Sequence, residues 1–145
     1  MRARYLGLLA PLLCLSCDNP LAVSDCPEQV EIVVGAGPRP SIDWVPRCRG
    51  YWLLVQAPGD LNLWSIHGPP QLVICPDDGG PCPLSLNTLH PPVQYGVVPR
   101  DAYQDLPFGG EQAPSLVVGY PYTFRLYRTN ATPALMAIDT FTITP

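Results

Sequence analysis

Apolar and polar residues alternate along most of this chain, in short runs separated by proline, glycine and aspartate. Val30, Ile32 and Val34 alternate with Gln29 and Glu31, the period-2 signature of a half-buried strand. Ser41-Ile42-Asp43-Trp44-Val45 follows the breaker Gly37-Pro38-Arg39-Pro40. In Tyr51 to Gln56, one face carries Tyr51, Leu53 and Val55, and the other Trp52, Leu54 and Gln56. Pro58-Gly59-Asp60 then signals a turn. Leu61, Leu63 and Ser65 alternate with Asn62, Trp64 and Ile66 before Gly68-Pro69-Pro70, and Gln71 to Cys75 is another short apolar run. Val93 to Val98 is interrupted by Gly96, which reads as a bulge. Tyr122, Phe124 and Leu126 share one face of a further strand, and residues 135–144 form a last β-prone run. No stretch of 12 or more residues shows a capped helical period. Seven or eight short strands with turns between them predict an all-β sandwich.

Composition sharpens this picture. The chain has 145 residues, 20 of them proline, and each interior proline costs a helix roughly 3 kcal/mol, so a helical bundle is excluded. A hydrophobic content of 47% excludes wholesale disorder, and the length allows one domain. The net charge is −4, and all eight basic residues are arginine. Such a chain has no basic patch for phosphate, so nucleic acid is not an expected partner.

The N-terminus carries an address. Arg2 and Arg4 precede the apolar stretch Tyr5 to Leu15. That stretch falls short of the roughly 20 apolar residues a membrane-spanning helix needs, and it reads as the core of a secretory signal over residues 1–16. Cys14-Leu15-Ser16-Cys17, followed by Asp18, resembles the lipobox of bacterial lipoproteins. The resemblance implies lipidation of Cys17 as the new N-terminal residue. It also implies attachment to a membrane of the bacterial cell envelope, on the periplasmic or outer-membrane surface. An ordinary cleaved secretory signal is the alternative. Residues 17–27 would then be a tether, and 28–145 the folded domain.

Four cysteines remain, Cys26, Cys48, Cys75 and Cys82, and an even number in an exported chain suggests two disulfides. Three pairings are open. Cys75 and Cys82 flank Pro-Asp-Asp-Gly-Gly-Pro, which must turn sharply, so they form the easiest bridge. Cys26 and Cys48 would then tie the N-terminal segment to the body. Zinc is not expected, because no Cys-x-x-Cys pair exists and His67 and His90 are the only histidines.

Two segments resemble the fibronectin type III pattern. The first is Ile42-Asp43-Trp44-Val45-Pro46 followed by Tyr51-Trp52-Leu53-Leu54-Val55: an inward tryptophan, a proline-containing turn, then a strand opening on an aromatic residue. The second is Leu116-Val117-Val118-Gly119-Tyr120-Pro121-Tyr122, where the family's glycine turns a corner and its tyrosine pins it. The resemblance implies an immunoglobulin-like sandwich of about seven strands, and no activity, because this fold hosts many functions. Residues 68–110 depart from the pattern.

Chemistry is sparse in the sequence. Trp44 belongs to the core. If Tyr51, Leu53 and Val55 are the buried set, Trp52 falls on the outer face, where with Trp64 and Tyr95 it would form a contact surface for a glycan or a protein; a place in the core is the alternative for Trp52 and Trp64. Asp77-Asp78-Gly79-Gly80 offers too few oxygens for calcium. His67 and His90 sit beside prolines and read as loop residues. Asp101 and Asp105 read as a carboxylate pair in a loop, without a cleft. No Gly-x-Ser-x-Gly elbow serves Ser65 or Ser85. Gly35-Ala36-Gly37 lacks the following helix that phosphate binding needs. No cofactor and no catalysis are expected. The expected role is a protein-interaction or structural module of the envelope, with a carbohydrate-binding domain as the alternative.

Overall fold

The computed structural model describes residues 25–74, 76–80, 84–129 and 132–145. It shows an all-β sandwich. The first sheet has three antiparallel strands in the order β1 (Glu31–Val34), β2 (Ser41–Val45), β5 (Val93–Gln94). The second has five, in the order β6 (Tyr103–Leu106), β4 (Leu61–His67), β3 (Trp52–Ala57), β7 (Pro121–Thr129), β8 (Pro133–Thr142). Neighbours β3 and β7 are far apart in sequence, so the second sheet is closed by a long return of the chain through the first. This is the connectivity of a Greek-key β-sandwich.

The period-2 pattern is what the sandwich buries. Ile32, Ile42, Trp44 and Val93 point inward from the first sheet, and Leu53, Val55, Trp64, Ile66, Phe124 and Leu126 from the second, all at 3% exposure or less. Each such side chain, fully buried, contributes about 1.5–3 kcal/mol. The indole N–H of Trp44 donates to the Cys48 carbonyl at 2.9 Å, so the largest core residue leaves no unpaired donor.

Cys48 is joined to Cys26, with Cα atoms 4.7 Å apart and both residues buried. A crosslink across 22 positions stabilises by about 3 kcal/mol in the chain-entropy view. Further contacts hold this end of the chain: Cys26 N–H donates to Arg49 O at 3.1 Å, and Asp25 pairs with Arg49 at 2.9 Å. The segment expected to be a tether is therefore bound to the sandwich where it ends. Cys17, Cys75 and Cys82 lie outside the described residues, as do the whole expected signal and Asn130-Ala131.

The corner before β7 has a specific geometry. Gly119 sits at φ +82°, a conformation L side chains avoid. The Tyr122 hydroxyl accepts a hydrogen bond from the Val117 N–H at 3.0 Å, with its ring buried in the core.

Several local expectations are corrected. Gln71–Ile74 is a single helical turn and not a strand, entered from Pro69-Pro70, whose fixed φ suits a helix start. Val93–Gln94 is all that remains of the run to Val98. Gly96 lies in a turn closed by Val97 N–H to Gln94 O at 3.0 Å, and not in a bulge. His67 ends β4 and Asp105 lies on β6, so neither is a loop residue. Trp64 and Tyr95, expected at the surface beside Trp52, are both fully buried. Trp64 pairs in register with Val55, whereas Trp52 pairs with His67. Three residues separate Trp64 from His67, and an odd step along a strand reverses the face. Tyr95 meets Trp64 edge to face at 5.2 Å and donates its hydroxyl to Pro114 O at 2.9 Å.

That environment predicts an alkaline signature. Burial, chiefly, pushes the Tyr95 hydroxyl up to about 12 from 10.0, with Arg39 opposing and Tyr122 assisting. The fold favours the neutral phenol, so this contribution is complete below pH 10.0 and is lost as pH rises through about 12. Thermal melting on either side of pH 10.0 should show the gap between wild type and Tyr95→Phe narrowing as pH rises. A gap independent of pH would contradict the assignment.

Candidate functional site

The outer face of the five-stranded sheet carries a transverse row of large side chains. The register aligns Tyr103 of β6, His67 of β4, Trp52 of β3, Tyr127 of β7 and Leu135 of β8. Residues opposite one another in antiparallel strands project to the same face, so alternation in each strand assembles the row. Two stacked pairs form within it. Trp52 lies 4.8 Å from Tyr127 with planes 27° apart, and His67 lies 5.8 Å from Tyr103 at 19°. Between the pairs is a cup of about 270 Å³, lined by Tyr51, Trp52, His67, Asp105 and Pro133.

A β-bulge supplies the cup's carboxylate. Ser65 pairs with Leu106 and Ile66 with Gln104, which leaves Asp105 as the extra residue of β6. A bulge re-aims a side chain, and here it turns Asp105 toward β4. Its Oδ2 accepts from the Ser65 hydroxyl at 3.2 Å and its Oδ1 lies 3.1 Å from His67 Nε2. Ser65 Oγ in turn accepts from the indole N–H of Trp52 at 2.6 Å. His67 Nδ1 meets the carbonyl of Gly68. Gly68 crosses so close to Leu86 that an added Cβ would meet the Leu86 carbonyl oxygen at 2.0 Å, so only glycine lets the chain turn here. Tyr51 stands beside His67 at 5.9 Å. Burial first, and the charge of Asp105 second, raise the Tyr51 hydroxyl above its ordinary value.

This wiring differs from a nucleophilic triad. There the histidine lies between the hydroxyl and the carboxylate. Here the carboxylate lies between Ser65 and His67, and both histidine nitrogens face other oxygens. The arrangement presents a carboxylate and no imidazole to Ser65, and that carboxylate ties Ser65 to His67.

Of the three residues the sequence offered as a surface, the structure leaves only Trp52 on the outer face, half-buried against Tyr127. Sequence reasoning does not bring Tyr51, His67, Tyr103, Asp105 and Tyr127 together with it. The strand parity of Trp52 is present in the sequence, but the register that matches it to His67 and Tyr127 is not. Asp77 and Asp78 occupy an exposed turn in which the Asp78 carboxylate accepts from the Gly80 N–H at 3.0 Å. Among the described residues no three His, Cys, Asp or Glu side chains come together as metal ligands. No helix among them is long and apolar enough to cross a membrane. Comparison of the chain with protein-family models, with curated proteins and with solved structures finds no match in any of the three.

A second surface lies at the sheet edge. Strand β8 is ten residues long and pairs only with β7 within the sheet. Strand β1 approaches its other side and is stitched to it at two points, Val30 N–H to Met136 O at 3.4 Å and Gly37 N–H to Thr144 O at 2.8 Å. Between the stitches the peptide groups of Ile138, Thr140 and Thr142 point away from β7, as antiparallel alternation requires. Asp139 Oδ1 takes up the Thr140 N–H at 2.8 Å. Among the described residues no backbone group pairs with the amides of Ile138 and Thr142. A groove of about 490 Å³ runs along this seam, with Glu28, Glu31 and Asp139 in its lining and no arginine.

Ser65→Ala should be costly beyond its size. It strips the acceptor from the half-buried Trp52 indole and one donor from Asp105. An unmet buried donor costs about 1–3 kcal/mol, so urea unfolding should show a loss in that range. An unchanged midpoint would mean that water replaces the hydroxyl.

Proposed function

We propose that this protein is an exported, non-catalytic interaction module, anchored to a bacterial envelope membrane through lipid on Cys17, which holds a protein partner along the stretch of the β8 edge between its two contacts with the β1 segment. The basic start, the short apolar stretch and Ser16-Cys17 support the anchor. The Cys26–Cys48 disulfide supports an oxidising compartment. The buried Trp44 and the Tyr122 hydroxyl bonded to the Val117 N–H support a fibronectin type III-like form of the sandwich.

The observation that carries the reading is the stretch of the β8 edge, between its two stitches to the β1 segment, whose peptide groups of Ile138 and Thr142 pair with no backbone group among the described residues. An unpaired row of N–H and C=O groups is a template for another strand, and natural proteins guard such edges unless they use them. Strand β8 exposes Ile138 at 50% and Leu135 at 46%, and among the described residues a side chain meets the Thr140 N–H but not those of Ile138 and Thr142. An extended segment of a partner would add to the sheet there by main-chain hydrogen bonding. The groove's carboxylates favour a segment bearing lysine or arginine. The carbohydrate alternative draws less support, because two of its three rings, Trp64 and Tyr95, lie inside the core.

Ile138→Pro tests the edge, because it deletes an N–H that points away from β7 and leaves the β7–β8 ladder its own bonds. Capture of the partner from detergent-extracted envelope should be lost while thermal melting stays close to wild type. Capture undiminished in a folded variant would remove the edge from the mechanism. For the anchor, Cys17→Ser should shift the protein from the membrane fraction to the soluble fraction. Retention in the membrane would overturn lipidation.

A further inference from the structure

The cup on the outer face of the sheet has a shape and a charge that the edge mechanism does not use. Trp52 and His67 are register partners, yet each stacks on its far neighbour, and the space between them is the cup. At about 270 Å³ it lies just below the roughly 300–1,000 Å³ typical of ligand pockets, a size suited to one side chain. Asp105 is 44% exposed, and each of its oxygens has one partner, Ser65 or His67. A carboxylate offers about four acceptor positions, so roughly two remain. Among the described residues no arginine lines the cup, and the Asp105 charge is felt at the Tyr51 hydroxyl, which also lines it.

We propose that this cup receives an arginine side chain of the partner, its guanidinium lying against the Trp52 and Tyr51 rings and paired with Asp105. The proposal rests on the protein-interaction reading above. Guanidinium is planar, weakly hydrated, stacks on aromatic faces and forks onto a carboxylate; an ammonium is compact, strongly hydrated and does neither as well. A sugar ring needs a broad open face, whereas the cup is only about 270 Å³. The preference for a cation also agrees with the carboxylates of the groove along β8.

The test uses the folded mature protein and Nα-acetyl-arginine methylamide. The indole N–H resonance of Trp52, identified by its loss in Trp52→Phe, is followed by NMR. A saturable shift with a dissociation constant on the order of 1 mM is expected. It should weaken about tenfold in Asp105→Asn, where the charge is lost but the shape is kept. Tyr51→Leu, which leaves the carboxylate and removes a wall, should weaken it as well. No shift, an equal shift with the corresponding lysine derivative, or a shift with methyl glucoside alone would each overturn the proposal. The blocked amino acid supplies no strand, so its binding should persist in Ile138→Pro. Arginine binding that persists there while partner capture fails supports the cup, and capture without arginine binding overturns the cup alone.

Discussion

The sandwich depends on one burial, that of Trp44 between the two sheets. Its ring is removed from water entirely, and its N–H is satisfied by the carbonyl of Cys48. Through that carbonyl the core is coupled to the Cys26–Cys48 bridge, and so to the start of the described chain. The segment that follows is fixed in turn. Gly50 exchanges hydrogen bonds with Leu89, and Tyr51 N–H reaches Tyr127 O at 2.7 Å, so the chain enters β3 with its parity already set. Leu53 and Val55 face the core and Trp52 faces outward. The outer site is a consequence of how the inner one is packed.

Strand β7, next to the edge strand β8, links the two candidate surfaces. On one side it pairs with β3 and sets Tyr127 against Trp52, and on the other it pairs with β8 and leaves that strand as the edge. Both surfaces are acidic, with Asp105 in the cup and Glu28, Glu31 and Asp139 along the groove. In a chain of net charge −4, with Arg128 4.0 Å from Glu28, the attraction these carboxylates exert on a cation is screened by salt over about 10 Å.

Strands with strict alternation are legible in the order of residues alone: β1, β2 and β7 follow their apolar periods, β3 and β4 show as apolar runs that bury consecutive residues, Leu53–Gln56 and Trp64–Ile66, and the corner at Gly119 and Tyr122 is visible as a motif. Strand β6 is not. Tyr103-Gln104-Asp105-Leu106 buries little of itself, so edge pairing with β4, and not a hydrophobic period, makes it a strand. The helical turn at Gln71–Ile74 passes for a strand in the sequence because four apolar or neutral residues fit either geometry. The candidate site is legible only in Trp52, since parity within a strand does not say which residue of a distant strand lies opposite.

The sequence by itself determined the fold class, because period-2 alternation punctuated by proline and glycine admits only sheets with one buried face. It also determined that Trp52 lies on the face of β3 opposite Leu53 and Val55. The tertiary structure decided which rings meet. Register between strands separated by tens of residues is set by the packing of whole sheets, and one residue of offset moves a side chain from solvent to core. That is why Trp64 and Tyr95 lie inside, why a bulge brings Asp105 to His67, and why Trp52 has Tyr127 for its neighbour.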